Sequence, residues 1–273
     1  MSKDSIHKKI VLAVCASFIL LTSFMLSASR VTGFGGCGGE CKDCHTLRPE
    51  EAASLLKEGG IPELRSVKVT QVTQAPARGL WEIAIEKEGK KGLLYLDFSK
   101  RFLIVGQIVE LKTSKNITQE RFLDLNRVDV SKIPLEDSLI MGSPSAKYRV
   151  FIFTDPDCPF CARLHRELKS VLEKRKDIAF YIKLFPLPNH KDAYWKAKSI
   201  QCSKSLRALE DNFEGKAPEK PSCDTDVIDK NIKLGRSLGV NSTPTIILPD
   251  GRLIPGAVPA PQLMELITGG KED

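Results

Sequence analysis

Apolar positions recur with different spacings in the two halves of the chain. Pro49 to Lys57 reads as a short helix, with Glu50 and Glu51 in its first turn and Ala52, Ala53, Leu55 and Leu56 as an apolar side; Gly59-Gly60 stops it. Four strand candidates follow, Leu64 to Val72, Leu80 to Glu86, Gly92 to Asp97 and Arg101 to Val109. The second alternates, placing Trp81, Ile83 and Ile85 on one face, and Lys87-Glu88-Gly89 reads as a turn. Asn116 to Arg127 predicts a linker helix capped by Asn116 or Thr118, and Pro134 and Pro144 bracket the approach to the next domain.

From residue 146 the rhythm changes. Tyr148 to Thr154 is apolar and β-branched apart from Arg149, as in a strand buried on both faces. Residues 159–174 carry Leu164, Leu168, Val171 and Leu172 at helical spacing, and Ile178 to Phe185 is again a strand. This β-α-β unit predicts a parallel pair. Helices over 191–206, 206–213 and 226–238, a hairpin turning at Pro249-Asp250-Gly251 and a last helix over 260–267 complete a thioredoxin-like plan with a helical insertion.

The N-terminus has another pattern. Lys3, His7, Lys8 and Lys9 precede an uncharged apolar stretch over 10–28, ending in Ser27-Ala28-Ser29. A basic start, an apolar core and small residues form an export signal; the length of that core makes an uncleaved inner-membrane anchor the alternative. Either way the rest of the chain is predicted outside the cytoplasm, where disulfides persist. The predicted organisation is a signal or anchor at 1–29, a Cys-rich leader at 30–47, a small antiparallel-sheet domain at 48–112, a linker helix and connector at 113–145, and a thioredoxin-like domain at 146–273.

Composition changes little in this picture. The 273 residues are 42% hydrophobic and 27% charged, with a formal charge of +7. The basic residues are scattered among acids and interleave no aromatic patch, which argues against nucleic-acid binding. A sheet of the size predicted for 48–112 buries little apolar area by itself, so pairing with a second copy is expected to supply the rest.

Candidate chemistry lies in the cysteines, eight in all. Cys158-Pro159-Phe160-Cys161 sits between a strand and a helix, so Cys158 falls where unpaired backbone N–H groups and the helix dipole favour an anion. A thiolate is such an anion, and Cys158 is predicted to attack disulfides while Cys161, one turn on, resolves. No further pair of ligands at zinc spacing follows it. His165 reads as an ordinary residue of that helix. In the leader, Cys41-Lys42-Asp43-Cys44-His45 has the c-type haem attachment pattern, so a covalent haem c on Cys41 and Cys44 with His45 as axial ligand is one candidate. With Cys37 the same residues also fit a disulfide plus a free thiol, or a metal or cluster site.

Phe153-Thr154-Asp155, the Cys158–Cys161 motif and Gly239-Val240-Asn241-Ser242-Thr243-Pro244-Thr245 together carry a resemblance to the bacterial periplasmic disulfide isomerases of the DsbC/DsbG type, over residues 50–270 or so. The resemblance implies an α/β (α+β) chain: a cystatin-like dimerisation domain, then a thioredoxin-like catalytic domain. It implies a cis Pro244, with the Thr243 backbone offered to an extended substrate, and a structural disulfide between Cys202 and Cys223. It implies isomerisation or reduction of non-native disulfides in misoxidised exported proteins, with no cofactor needed for the exchange, a homodimer, and a membrane thiol reductase as electron donor. A haem-bearing electron-transfer protein and a thiol-independent chaperone are the competing readings. Two departures stand out. The Cys37–His45 leader is outside the family pattern, and Ile152 occupies the place where thioredoxin carries a buried acid, so proton transfer to Cys161 needs another route.

Overall fold

The computed structural model describes residues 45–269. The predicted signal or anchor, and Cys37, Cys41 and Cys44 of the leader, lie outside them. Among the described residues no helix is long and apolar enough to cross a membrane.

The chain from Arg48 onward begins with helix α1, Pro49–Glu58, with Pro49 at its start and Ala52 and Leu56 buried. Four antiparallel strands follow in the order β1-β2-β3-β4: β1 Lys68–Gln74, β2 Leu80–Lys87, β3 Lys90–Asp97 and β4 Leu103–Ile104. Glu88 and Gly89, both at positive φ, form the two-residue turn between β2 and β3. Such a turn matches the right-handed twist of its strands. The expected strand over 101–109 is only partly strand. β4 has two residues, and Val109–Glu110 (β5) pairs instead with Lys115–Asn116 (β6) in a separate ribbon. Gly106 falls between the two pieces.

The alternation read along β2 is also only half of its pattern. Trp81, Glu82, Ile83 and Ala84 are all buried, because both faces of this sheet are covered. Leu55 and Leu56 of α1 share a cavity with Leu96 on one face. On the other lies helix α2, Ile117–Leu125, capped by the Asn116 side chain on Gln119 N–H. Arg121 of α2 pairs with the buried Glu82 at 2.8 Å, and Tyr95 meets the Thr118 hydroxyl at 2.6 Å. A helix thus turns would-be solvent positions into core.

The second sheet runs β11-β10-β8-β9-β7. Its strands are β7 Leu139–Gly142, β8 Tyr148–Thr154, β9 Ile178–Leu184, β10 Thr245–Ile247 and β11 Leu253–Pro255. β8 and β9 are parallel, and every other pairing is antiparallel. All seven residues of β9 are buried. Helix α3, Pro159–Lys174, lays Leu164, Leu168 and Val171 on one side of the sheet. α7, Ala260–Thr268, packs on the same side through Leu263 and Ile267. The opposite side is built on Phe151, Phe153, Tyr181 and Phe185. Between β9 and β10 come α4 Ala193–Ser203, α5 Leu206–Phe213 and α6 Val227–Ser237.

The connector ties the two sheets together. Val128 N–H donates to Gly251 O at 2.9 Å in the β10–β11 hairpin. A Cβ at Gly251, whose φ is +88°, would meet Val128 O at 2.1 Å, whereas one at Gly256, φ +87°, meets open space. Gly256→Ala is therefore expected to cost about 1 kcal/mol from its left-handed backbone alone, and Gly251→Ala about 3 kcal/mol because the connector must also move. Urea unfolding of the two variants side by side measures the difference.

Candidate functional site

The C-terminal end of β8 and the first turn of α3 bring the two motif cysteines together, both as free thiols. Cys158 is the N-cap residue of α3 and Pro159 its first helical residue, where a missing N–H loses no bond. Cys161 N–H and Ala162 N–H both point back to Cys158 O, at 3.0 and 3.2 Å. Cys158 is 4% exposed and Cys161 fully buried, while Phe160 between them stands 61% exposed.

Their surroundings separate the two sulfurs. Hydrogen bonding from the Cys161 thiol, and then from the Cys161 and Phe160 backbone amides, overcomes burial and brings the Cys158 pKa from 9.0 down to about 6. Burial first, and then the adjoining Cys158 sulfur, push the Cys161 thiol well above its ordinary value. One sulfur is poised as an anion and the other holds the shared proton.

The Thr243-Pro244 peptide is cis, and Thr243 O lies 3.4 Å from Cys158 Sγ. Pro244 immediately precedes β10, the strand beside β8, so the sheet itself sets this approach. Cys202 and Cys223 are joined by a disulfide, 21 residues apart in sequence, that fastens the 214–223 loop to α4. His45 lies in irregular chain ahead of α1; with Cys41 and Cys44 outside the described residues, the motif it ends is not assembled in view.

Sequence reasoning passed over the groups that hold the active turn. The buried Asp155 carboxylate accepts from Asp157 N–H at 2.7 Å, from Leu187 N–H at 2.6 Å and from His190 Nδ1 at 2.8 Å. Lys196 of α4 pairs with Asp157 at 2.6 Å, and Asn212 of α5 donates to Pro156 O at 2.6 Å. Asp155-Pro156-Asp157 is thus gripped by a loop and two helices that are remote in sequence. Thr154 and His165 are both buried, their side chains 3.5 Å apart; Asp155 N–H reaches the Cys161 sulfur at 3.3 Å, and the Thr154 hydroxyl beside it favours the Cys161 anion, though not enough to offset burial. The signal for His165 was present, since it falls four residues after Cys161 in the apolar stripe of α3 and not on the solvent side.

Comparison with known proteins agrees with this geometry. A family model described as a thioredoxin-like domain matches residues 135–269, and one described as the disulfide bond isomerase protein N-terminal domain matches 52–119. The chain is 29% identical over 217 residues to a probable thiol:disulfide interchange protein DsbC of Bordetella pertussis, covering 79% of this chain and 74% of that one. It is 26% identical over 208 residues to the thiol:disulfide interchange protein DsbC of Escherichia coli K12, covering 74% and 82%. A solved disulfide interchange protein from Neisseria gonorrhoeae is 32% identical over 52% of this chain and 100% of its own, with a TM-score of 0.44.

A pKa of about 6 at Cys158 makes two expectations. Its alkylation by iodoacetamide rises with pH to a midpoint near 6, followed by mass spectrometry of the Cys158 peptide. Because the folded dithiol sheds this proton more readily than the unfolded chain, between about pH 6 and 9 the unfolded state binds more protons, so stability of the reduced protein rises with pH across that window. That contribution is fully present above the ordinary thiol value and is lost as pH falls towards 6. Thermal melts of the reduced protein across this range check the sign.

Proposed function

The chain belongs to the DsbC family of thiol:disulfide interchange enzymes, and from that premise we propose that Cys158 is its nucleophile and Cys161 its resolving thiol. The observation that carries the assignment is geometric: Cys158 caps the helix with its sulfur 3.4 Å from Thr243 O beside cis Pro244, while Cys161, one turn on, is fully buried, and the two pKa values are displaced in opposite directions accordingly. The Cys158 thiolate attacks a non-native disulfide; a bond forms between Cys158 and one substrate sulfur, and the other substrate sulfur leaves as a thiolate. The substrate then rearranges and expels Cys158, or Cys161 displaces it and leaves a Cys158–Cys161 disulfide. A reductant of the exported compartment, a membrane thiol reductase, returns that disulfide to the dithiol.

The substrate lies extended along Thr243-Pro244, hydrogen-bonded to the backbone beside Cys158 like an added strand. A cleft of about 690 Å³, lined in part by Phe122, Leu125, Arg236, Ser242 and Thr245, adjoins this edge and accommodates more of an unfolded client. Cys202–Cys223 acts as a structural staple, contributing about 3 kcal/mol by closing its loop.

Misoxidised proteins of the periplasm are the clients of this reading, and the apolar segment at 10–28 supports export. A homodimer follows from the N-terminal domain. β4 is a short edge strand, and Phe102, Ile104, Val105 and Leu111 are exposed around it. A second copy that covers them removes both an open edge and an apolar patch. Thiol exchange itself needs no cofactor. The Cys41-Cys44-His45 motif precedes both family matches, and a visible α-band in reduced exported protein would reveal haem there.

Cys158→Ala is expected to abolish reactivation of scrambled, fully oxidised ribonuclease, while Cys161→Ala accumulates a mixed disulfide on Cys158. Full isomerase activity in Cys158→Ala would refute the assignment. Ile104→Asp is expected to shift the dimer to monomer in sedimentation velocity and to leave the thioredoxin-like part folded.

A further inference from the structure

The resolving step asks for an anion where the protein makes one costly. The Cys161 S–H bond breaks and a Cys158–Cys161 bond forms. The Cys158–substrate bond breaks, its electron pair leaves on the substrate sulfur, and that sulfur takes up the proton released. No outside oxidant is needed, since the mixed disulfide supplies the oxidising equivalents. Yet Cys161 is fully buried.

What does line Cys161 is polar and unexplained by packing. Thr154 ends β8 directly before Asp155, whose N–H reaches the Cys161 sulfur at 3.3 Å, and its hydroxyl favours the anion of that sulfur. Behind it, Thr154 Oγ1 lies 3.5 Å from Nε2 of His165, which is 2% exposed and packs tilted against the Phe213 ring of α5, centroids 4.9 Å apart. His165 Nδ1 is buried with no hydrogen-bond partner among the described residues. The tautomer with the proton on Nε2 leaves only a lone pair unmatched there, which costs less than an orphaned N–H. Burial first, then the Lys169 charge, pull the imidazole down to about 3, so it stays neutral at working pH. Lys169 is itself paired with Glu210 of α5 at 3.0 Å, and the Asp155 carboxylate is occupied by Asp157, Leu187 and His190.

We propose that Thr154 and His165 form a two-link donor chain to the resolving sulfur. His165 Nε2–H donates to Thr154 Oγ1, and Thr154 O–H donates to Cys161 Sγ, holding the Cys161 anion while it attacks the mixed disulfide. Thr154 touches the reacting sulfur; His165 is a positioning residue that orients and polarises the hydroxyl. The 3.5 Å link shortens as charge develops on the sulfur, as catalytic hydrogen bonds do on leaving the resting state. This inference rests on Cys161 being the resolving thiol.

The test loads full-length reduced protein with oxidised glutathione. Decay of the glutathione adduct on the Cys158 peptide is then followed by acid quench and mass spectrometry from pH 5 to 9. Thr154→Val is expected to slow decay about tenfold at every pH in this range, since one pKa unit is a tenfold change in anion population. Thr154→Ser should return the rate to within about twofold of the parent. His165→Leu should slow decay about threefold, and His165→Gln, which keeps a donor, should recover most of it. Parent-like decay in Thr154→Val, or equal slowing in Thr154→Ser, would overturn the donor chain, as would a His165→Gln variant no better than His165→Leu. Should His165→Leu fail to fold, the Thr154 pair alone decides. Cys161→Ser separates the two levels: its adduct must persist at every pH, and if it decays at the parent rate it is the resolving role of Cys161 that fails.

Discussion

Two sulfurs within one helical turn cannot both be anionic in so dry a place, and the molecule resolves that conflict by treating them unequally. Cys158 receives donors from its neighbour and from backbone amides at the head of α3, whereas Cys161 is sunk beneath the sheet. The helix start, the strand that feeds it and the cis-proline turn ahead of the strand beside it matter because they set this asymmetry. A shift of either sulfur by an ångström would alter its donors, and with them the chemistry.

Such placement asks for a rigid turn, and the rigidity comes from far along the chain. Asp155-Pro156-Asp157 is tied through buried carboxylate, carbonyl and ion-pair contacts to the 187–190 loop, to α4 and to α5. The helical insertion is therefore a brace for the reactive turn as well as a cover for the sheet. The disulfide at Cys202 keeps the far end of α4 in place.

Much of the architecture was legible because periodicity and punctuation are local signals. The apolar runs at 148–154 and 178–184 are strands, the stripe through Leu164, Leu168 and Val171 faces the core, and Asn116 caps its helix. The errors arose where tertiary contact overrode local pattern. The alternation of Trp81, Ile83 and Ile85 covers only one face, and Glu82 on the other is also buried because Arg121, far along the chain, comes to meet it. The run 101–109 has strand composition but breaks around Gly106, and its last residue, Val109, pairs with Asn116 in a separate ribbon. The cysteine pair announced itself by spacing. Its supporting cast did not, because Asp155, His190, Lys196 and Asn212 gain meaning only once the fold collects them. His165 was the exception, a polar residue in an apolar stripe that local reasoning had reason to question.

The connector between the sheets has a mechanical meaning. α2 is pinned along the small sheet by Arg121 and Thr118, and the chain just beyond it is held against Gly251 at the tip of the β10–β11 hairpin. That hairpin starts next to Pro244. The edge on which an incoming polypeptide would rest therefore takes its bearing from the small sheet, through one stiff strut with no glycine hinge between Ile117 and Val128. Tilting one sheet would steer the other's docking rim, so pairing of two copies could set the aim of both reactive centres at once.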